Sequence, residues 1–233
     1  MSRPDWFYDD LRQVGIDFAD AGQVATYDDR QNDDPAADRA LLDRIGVEPT
    51  HHVADIGCGT GLLACEAARR SACVHAVDVS AAMLARTEAR AAAAGLTNIR
   101  PVQAGFLSFD PGPRTLDLVT TKFAFHHLPD FWKAMALVRV NRMLKPGGRL
   151  FLRDVVFSFA PAEAPQAIEG WIGWMLANTG YPRAEVATHV REEHSTFAWI
   201  VECLLERTGF RLLWSDIGGP TYADYFAEKN SEI

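Results

Sequence analysis

The stretch VADIGCGTG, residues 53–61, joins an apolar run to a glycine-rich loop. The run ends in Asp55, and three glycines then alternate with other residues, at Gly57, Gly59 and Gly61. Gly57 permits a tight turn, whereas Gly59 and Gly61 keep side chains away from a place where the backbone approaches a ligand. We therefore predict a strand that ends in a ligand-binding loop.

The chain on both sides of this loop alternates between short β-branched runs and helical stretches. The predicted strands are 51–57, 74–79, 98–105, 116–123 and 149–157, and the predicted helices are 62–70, 81–94 and 131–144, with a turn at 145–148. Strands that alternate with helices favour right-handed crossovers and a parallel sheet covered on both faces. The expected fold class is α/β, with a doubly wound sheet that binds ligands beyond the carboxyl ends of its strands.

The alanine-rich helix of this pattern has a signal at each end. Ser80 is predicted to cap its first turn, and Gly95 to end it in a left-handed conformation.

Two segments interrupt the alternation. Residues 1–40, rich in acidic and aromatic side chains, are predicted to form an N-terminal helical cap before a main domain of residues 41–233. Residues 158–195 carry prolines and then an apolar stretch with two tryptophans, and are predicted to be a helical insert in that domain. For the insert we consider three roles: a cover over a ligand, an extension of the core, or one face of a homodimer.

The glycine loop and an acidic residue downstream predict a nucleoside ligand. Asp78 ends the second predicted strand about twenty residues after the loop, where a carboxylate accepts hydrogen bonds from both ribose hydroxyls. The dinucleotide pattern requires a glycine at the position of Leu62. Asp55 would repel a pyrophosphate, but it suits a ligand that carries an ammonium group, as S-adenosylmethionine does. A nicotinamide dehydrogenase is therefore the less favoured alternative.

Four motifs carry a family resemblance. VADIGCGTG, HAVDVS, LDLVTTKFAFHHLPD and RMLKPGGRLFLRD follow one another between residues 50 and 157. In this order and spacing they resemble the motifs of class I S-adenosylmethionine-dependent methyltransferases. The resemblance implies a Rossmann-like methyltransferase fold, whose seven-stranded, mostly parallel sheet ends in an antiparallel hairpin. The stretches at 211–218 and 221–229 are the candidates for that hairpin.

The same resemblance implies which residues hold S-adenosylmethionine. The methionine part is expected near the glycine loop, the ribose at Asp78 and the adenine beside Val79 and Met83. Many members have an acid after the third strand to hold the adenine amino group, but this chain has Gly105 there, so Phe106 or backbone would take that role. The complete predicted cofactor set is Asp55, Gly57, Cys58, Gly59, Gly61, Asp78, Val79, Met83, Gly105, Phe106 and Lys122.

Methyl transfer requires a nucleophile held near the sulfonium carbon, and a base if that nucleophile carries a proton. His126, His127 and Asp154 follow the fourth and fifth strands and are the predicted catalytic residues, although a structural role for each is the alternative. The predicted substrate contacts are Tyr27, Trp171, Trp174 and His194, with packing against the protein as the alternative.

Composition and absent motifs restrict the acceptor and the partners. The net charge of −8 and the absence of an N/D-P-P-Y/F motif disfavour a nucleic-acid substrate and favour a small molecule. The segment HVREEHS, 189–195, spaces His189 and Glu193 as a helical metal site would, but we predict no metal. No signal peptide or membrane span is recognisable, so a cytoplasmic protein is expected. The alternatives to a small-molecule methyltransferase are a tRNA- or protein-directed one, and a protein that binds S-adenosylmethionine without turnover.

Overall fold

The computed structural model describes residues 4–12, 24, 27 and 34–232. Its strands are β1 (His52–Ile56), β2 (Cys73–Asp78), β3 (Ile99–Gln103), β4 (Leu116–Lys122), β5 (Leu144–Phe157), β6 (Thr196–Phe197), β7 (Phe210–Ile217) and β8 (Tyr222–Lys229). The helices numbered here are α1 (Pro35–Arg44), α2 (Leu62–Ala68), α3 (Ala81–Ala93), α4 (Asp130–Met143), α5 (Ala164–Asn178), α6 (Arg183–Glu192) and α7 (Ala198–Arg207). Most of the predicted N-terminal cap lies outside the described residues, and α1 crosses the predicted boundary at residue 41.

The strands form one twisted sheet in the order β3-β2-β1-β4-β5-β8-β7. The pairs among β1 to β5 are parallel, whereas β8 runs antiparallel to β5 and β7 antiparallel to β8. The predicted seven-stranded, doubly wound sheet with a terminal antiparallel hairpin is thereby confirmed. The two-residue strand β6, which the sequence pattern did not predict, pairs with β5.

Local signals form the element that follows β2. The hydroxyl of Ser80 accepts a hydrogen bond from the N–H of Met83 at 3.2 Å, which satisfies one donor of the first turn of α3. Gly95 has a φ of 66°, which ends the helix in the left-handed region. Both predicted ends of the alanine-rich helix are therefore confirmed.

The turn predicted at 145–148 lies inside β5. Leu116 pairs with Leu144 and Leu118 pairs with Arg149. The stretch of β5 between these two pairs is therefore longer than the stretch of β4 that it faces. Gly147, with a φ of 72°, permits this bulge. The turn thus interrupts one strand that pairs with β4 on both sides, because the backbone before and after it finds partners on the same neighbour.

Apolar side chains are buried on both faces of the sheet. Leu150 joins a cluster that contains residues of α4 and α7, whereas the next residue, Phe151, joins a cluster with residues of α1, α2 and α3. Successive side chains of a strand point to opposite faces, so β5 connects two helical layers. This doubly covered sheet holds the carboxyl ends of β1, β2 and β4 in fixed positions.

The predicted insert between β5 and β6 contains two helices, α5 and α6. Trp171 and Ile172 of α5 and Val186 of α6 are buried against Val155 of β5. The insert therefore packs over the carboxyl ends of the parallel strands, where the strands lead into their loops. Within the described ranges, none of the helices has the length and apolar character needed to cross a membrane.

Candidate active site

The glycine loop leaves β1 and turns across the end of β2. The N–H groups of Gly57 and Cys58 both donate to the carbonyl oxygen of Val77, at 2.8 and 3.0 Å. These bonds hold the loop against the neighbouring strand, at the edge where doubly wound sheets bind ligands.

The three glycines of the loop are required for different reasons. A Cβ at Gly57 would overlap the Cβ of Ala124, and one at Gly61 would lie 2.6 Å from Cγ2 of Thr87, whereas one at Gly59 would meet only the Tyr27 ring at 3.6 Å. All three have positive φ, at 75°, 81° and 54° for Gly57, Gly61 and Gly59. Gly61 makes room for Thr87 of α3 and lines neither of the two main cavities, and its contact with a ligand stays a prediction.

Asp78 connects the loop to the end of β2. Its Oδ2 accepts a hydrogen bond from the N–H of Gly59 at 2.9 Å, and its Oδ1 accepts one from the N–H of Ser80 at 2.8 Å. Burial raises the pKa of Asp78, and these backbone hydrogen bonds offset part of the rise. A carboxylate has lone pairs for about four hydrogen bonds, so it retains capacity for a ligand.

Asp55 is the second buried carboxyl group at this edge. Only 2% of the residue is exposed, and Thr120 Oγ1 donates a hydrogen bond to its Oδ1 at 2.7 Å. Burial raises the pKa of Asp55 from 3.8 to about 7, although the Thr120 hydrogen bond and the nearby Lys122 charge oppose the shift. The group is therefore poised to ionise when a cation binds beside it.

A cavity of about 110 Å³ lies between the loop, the ends of β2 and β3, and the N-terminal segment. Asp55 and Cys58 line a smaller cleft of about 40 Å³ beside it. Eight members of the predicted cofactor set line the cavity of about 110 Å³: Gly57, Gly59, Asp78, Val79, Met83, Gly105, Phe106 and Lys122. Lys122 is held in place by a 2.8 Å hydrogen bond from its Nζ to Asp38 of α1.

Asp10 supplies a carboxylate that the sequence analysis missed. Its Oδ2 lies 2.6 Å from where a Cβ on Gly105 would be. It accepts hydrogen bonds from the N–H groups of Leu107 and Ser108 at 2.7 and 3.0 Å, and from Ser108 Oγ at 3.0 Å. The carboxylate thus occupies the space of the acid absent after β3, and it lines the same cavity. The available signals were that absence and the acid-rich N-terminal segment.

A second cavity, of about 490 Å³, lies under the insert. Trp171 and Trp174, two of the predicted substrate contacts, lie in its wall. Most of the exposed surface of its wall is apolar, although three histidines and several charged side chains also line it. Among the charged groups, Arg153 forms a two-bond ion pair with Asp224, and the carboxylates of Glu185, Glu193 and Asp216 lie elsewhere in the wall. Such a lining suits a molecule that is apolar over most of its surface and polar at one end.

Tyr27, Phe123 and His127 line both cavities and form the boundary between them. Phe123 has a φ of 54°, which is rare for a bulky residue and requires support from the surrounding structure. Its N–H donates to the carbonyl oxygen of Arg153 at 2.8 Å, which holds this conformation at the end of β4. A group that passes from one cavity to the other would cross between these three side chains.

His126, beside this boundary, lies between two carboxylates. The backbone N–H of His126 donates to Asp154 Oδ2 at 2.7 Å, and its ring Nδ1 pairs with Asp154 Oδ1. The other ring nitrogen, Nε2, lies 3.2 Å from Glu193 Oε2. Burial alone would lower the pKa of His126, but the charge and hydrogen bond of Asp154, together with Glu193, raise it to about 9. The imidazolium in turn lowers the pKa of Asp154 despite its burial.

His127 has the opposite electrostatic environment. Burial, followed by repulsion from charged His126, lowers the pKa of His127 to about 3, so its ring is neutral at physiological pH. Its Nδ1 is buried and has no hydrogen-bond partner among the described residues.

Two of the predicted catalytic and substrate residues lie outside both cavities. Asp154 is buried behind His126, contacts its ring and does not line the acceptor cavity, which favours the structural alternative for this predicted catalytic residue. His194 also lines neither cavity: its carbonyl oxygen accepts a hydrogen bond from Lys133, and its N–H donates to the His126 carbonyl oxygen at 2.8 Å. Glu193, which the sequence analysis did not assign to the site, lies in the cavity wall instead.

Comparisons with known proteins agree with this architecture. A family model described as a methyltransferase domain matches residues 53–148. An uncharacterized methyltransferase of Geobacillus kaustophilus is 26% identical over 200 residues, which cover 79% of this chain and 91% of that protein.

Two solved structures share the fold. A S-adenosylmethionine-dependent methyltransferase from Aquifex aeolicus has a TM-score of 0.65 at 20% identity, covering 90% of this chain and 98% of that one. A geranyl diphosphate methyltransferase in complex with S-adenosylmethionine has a TM-score of 0.66 at 16% identity, covering 91% and 92%. The match over residues 53–148, the relative named as a methyltransferase and the shared fold together support a class I S-adenosylmethionine-dependent methyltransferase.

Proposed function

We propose that this methyltransferase acts on a small, largely apolar molecule with an oxygen, nitrogen or carbon nucleophile, bound in the cavity under the insert. The observation that carries the proposal is the boundary formed by Tyr27, Phe123 and His127, which line both cavities. A donor methyl in one cavity and a nucleophile in the other meet there with little water between them, which is the main requirement of an in-line transfer.

The proposed cofactor position follows from the carboxylates that line the cavity of about 110 Å³ and the cleft of about 40 Å³ beside it. Asp78 accepts the ribose hydroxyls, the adenine lies against Val79, Met83 and Phe106, and the methionine ammonium group approaches Asp55. The adenine amino group donates to Asp10, which replaces the acid that other members have after β3. The support for this last contact is that Asp10 and Gly105 line the same cavity, with the carboxylate where a side chain on Gly105 would be.

Calorimetric titration with S-adenosylmethionine tests this cofactor position. Asp78→Asn removes a charged acceptor, and hydrogen bonds to charged groups contribute about 1.5–3 kcal/mol, so we expect affinity to fall roughly 10- to 100-fold. Glu88→Gln is the control, since it makes the same chemical change on the exposed surface of α3. Equal affinity in wild type and Asp78→Asn would contradict the proposed ribose contact.

The size and lining of the cavity under the insert support a small acceptor. Its volume of about 490 Å³ lies within the usual range for small-molecule sites. Trp171 is held in this wall by a hydrogen bond from its Nε1 to Tyr222 Oη at 2.9 Å, whereas Trp174 is half exposed at the rim. We propose that these two rings contact the apolar part of the acceptor. The geranyl diphosphate methyltransferase that shares the fold is named for a small substrate with an apolar chain and a charged end.

Within this proposal, His127 is the catalytic residue closest to the transfer point. It lines both cavities, and its buried Nδ1 makes no hydrogen bond to any described protein group. His126 and Asp154 are positioning residues, because Asp154 fixes the His126 ring and the His126 carbonyl oxygen anchors the chain after Glu193.

Transfer of a radiolabelled methyl group tests the acceptor class. The enzyme is assayed with panels of small aromatic and aliphatic hydroxyl, amine and activated-carbon compounds, and with bulk tRNA and bulk protein. We expect turnover on the small molecules alone. Labelling of tRNA or protein in preference to every small molecule would refute the proposal.

A tryptophan substitution locates the acceptor. Trp174→Ala is expected to raise KM for the acceptor about tenfold, as an aromatic contact of about 1.4 kcal/mol is lost, without changing cofactor affinity. Trp199→Ala is the matched control, because Trp199 is also exposed but does not line the cavity. If both variants change KM equally, the rim of the insert is not the acceptor site.

A further inference from the structure

Two imidazoles and a carboxylate from distant parts of the chain converge at the inner wall of the acceptor cavity. His126, His127 and Glu193 each offer one ligand atom, and these atoms all lie within 4.8 Å of one another. All three residues line the cavity of about 490 Å³ under the insert. The site therefore has an open side from which a small molecule can approach.

The backbone fixes this convergence. His126 and His127 belong to the short 3-10 helix after β4, whereas Glu193 follows α6. The N–H of His194 donates to the carbonyl oxygen of His126 at 2.8 Å, which ties the end of α6 to the 3-10 helix. A third ring, His189, pairs through Nδ1 with Glu193 and lies with its Nε2 2.8 Å from Ser195 Oγ. Glu193 is thus held in place by a neighbour on its own segment.

The supporting contacts around His126 are those of a metal-ligating histidine. Asp154 accepts from the N–H of His126 at 2.7 Å and engages its ring through Nδ1, so Nε2 is the nitrogen that faces Glu193, at 3.2 Å. A carboxylate on the far nitrogen of a ligand histidine orients the ring and increases its basicity as a ligand. Asp154 is 2% exposed and also accepts a hydrogen bond from the N–H of Val155 at 2.8 Å, which fixes the carboxylate against β5.

An independent observation concerns the other histidine. The Nδ1 atom of His127 is buried without a hydrogen-bond partner among the residues that the structure describes. Buried polar groups of native proteins are nearly always satisfied, so this nitrogen has a capacity for a ligand that no described protein group uses.

We propose that His126, His127 and Glu193 bind a divalent first-row transition metal ion, with Asp154 as the supporting carboxylate. Two imidazoles and one carboxylate with open positions form a set that suits Zn²⁺ or Fe²⁺, whereas Mg²⁺ and Ca²⁺ prefer oxygen ligands throughout. Binding displaces the proton that His126 holds between the two buried carboxylates, and the dication then balances the charges of Asp154 and Glu193. The expectation of no metal considered the segment 189–195 without the histidines after β4, which the structure brings against it.

The role of this metal rests on the proposed function. An acceptor hydroxyl group that enters the cavity would coordinate at an open position, and coordination lowers the pKa of the hydroxyl. The hydroxyl proton leaves to solvent through the open side of the cavity. The oxygen then forms a bond to the methyl carbon as the carbon–sulfur bond breaks, and the sulfonium becomes a neutral thioether. The inferred acceptor class is therefore an alcohol, phenol or carboxylic acid.

Metal titration of the full chain after treatment with a chelator tests the site without any turnover. We expect one equivalent of Zn²⁺ to bind and raise Tm, one equivalent of Co²⁺ to give a visible d–d absorption band, and Mg²⁺ to do neither. Asp154→Asn is expected to weaken Zn²⁺ binding about 10- to 100-fold, as loss of a supporting carboxylate usually does. Glu193→Gln is expected to abolish the Co²⁺ band.

The neighbouring Glu192→Gln provides the matched control, because Glu192 is exposed and pairs with Arg191 outside the cavity. It should bind Zn²⁺ as wild type does. Absence of binding in the wild type, or equal binding by Glu193→Gln and wild type, would overturn the metal site. Titration of S-adenosylmethionine into the same chelator-treated protein separates this failure from failure of the proposed function, since cofactor binding requires only the other cavity.

Discussion

Replacement of Asp55 by asparagine should stabilise the cofactor-free protein and weaken its affinity for S-adenosylmethionine. Asp55 lies at the end of β1, almost completely buried, with one described side-chain hydrogen bond, from Thr120. Asparagine keeps the shape of the side chain and an oxygen that accepts this bond, but it never ionises. The substitution therefore removes the cost of a buried charge and leaves the packing in place.

The magnitude follows from the pKa of Asp55, which burial raises from 3.8 to about 7. A shift of roughly three units corresponds to about 4 kcal/mol at 1.36 kcal/mol per unit, which is the upper limit of the gain above pH 7. The new amide N–H₂ group is buried without a described partner, at a cost of about 1–3 kcal/mol. We expect a net gain of about 1–3 kcal/mol in the free energy of unfolding at pH 8.

The gain must depend on pH in a defined direction. The folded protein holds a proton on Asp55 that the unfolded chain releases near its ordinary pKa of 3.8. The contribution of this carboxyl to wild-type stability is therefore fully present below pH 3.8 and is lost as pH rises to about 7. The advantage of Asp55→Asn should accordingly grow between these values and remain constant above them.

Urea unfolding at pH 5 and pH 8, on wild type, Asp55→Asn and the surface control Glu88→Gln, measures this difference. Calorimetry at pH 8 should show S-adenosylmethionine affinity reduced about 10- to 100-fold in Asp55→Asn, because the proposed ammonium partner has lost its charge. A variant that is less stable than wild type at pH 8, or whose gain is the same at both pH values, would refute the account of Asp55 as a strained buried acid.

Three further predictions follow from the same site. Wild-type affinity for S-adenosylmethionine should weaken as pH falls below about 7, since Asp55 must release a proton to pair with the ammonium group; titrations in buffers of different ionisation enthalpy will detect that proton. Gly57→Ala should cost at least about 2 kcal/mol of stability and Gly59→Ala about 1 kcal/mol, because only the first adds overlap with a neighbouring side chain to the strain of positive φ; equal losses in thermal denaturation would contradict this reasoning. Asp10→Ala should bind S-adenosylhomocysteine about tenfold more weakly with little effect on its inosine analogue, and Gly105→Asp introduced into Asp10→Ala should restore the preference; a similar loss for both ligands would exclude an adenine contact.

The sequence was most informative where structure is determined by neighbouring residues. The run into Asp55, the spacing of the loop glycines and the Ser80 and Gly95 signals predicted a strand, a turn and a helix that the structure contains. These are local effects of backbone conformation, side-chain period and capping. The repeated alternation of such units also predicted the doubly wound sheet, because short parallel crossovers leave few other topologies.

The sequence was less informative about site residues whose partners are distant in the chain. Gly61 fits the pattern of a ligand-contacting glycine, yet the structure brings Thr87 against it. Gly105 departs from the family pattern, and no sequence rule indicated that Asp10 fills the same space. Both outcomes depend on which helices and terminal segments pack across the loop.

The sequence by itself determined the alternation of strands and helices around the glycine loop and the position of an acid, Asp78, at the end of β2. The tertiary structure alone decided that Asp10 meets Gly105, that Glu193 meets His126 and that the insert encloses a cavity. The spacing of hydrophobic residues and the residue preferences of turns act over a few neighbouring positions, so they can be recognised from the sequence. Burial, pKa and the meeting of polar groups depend on packing between segments far apart in sequence, and these emerge only when the sheet and its covering helices are assembled.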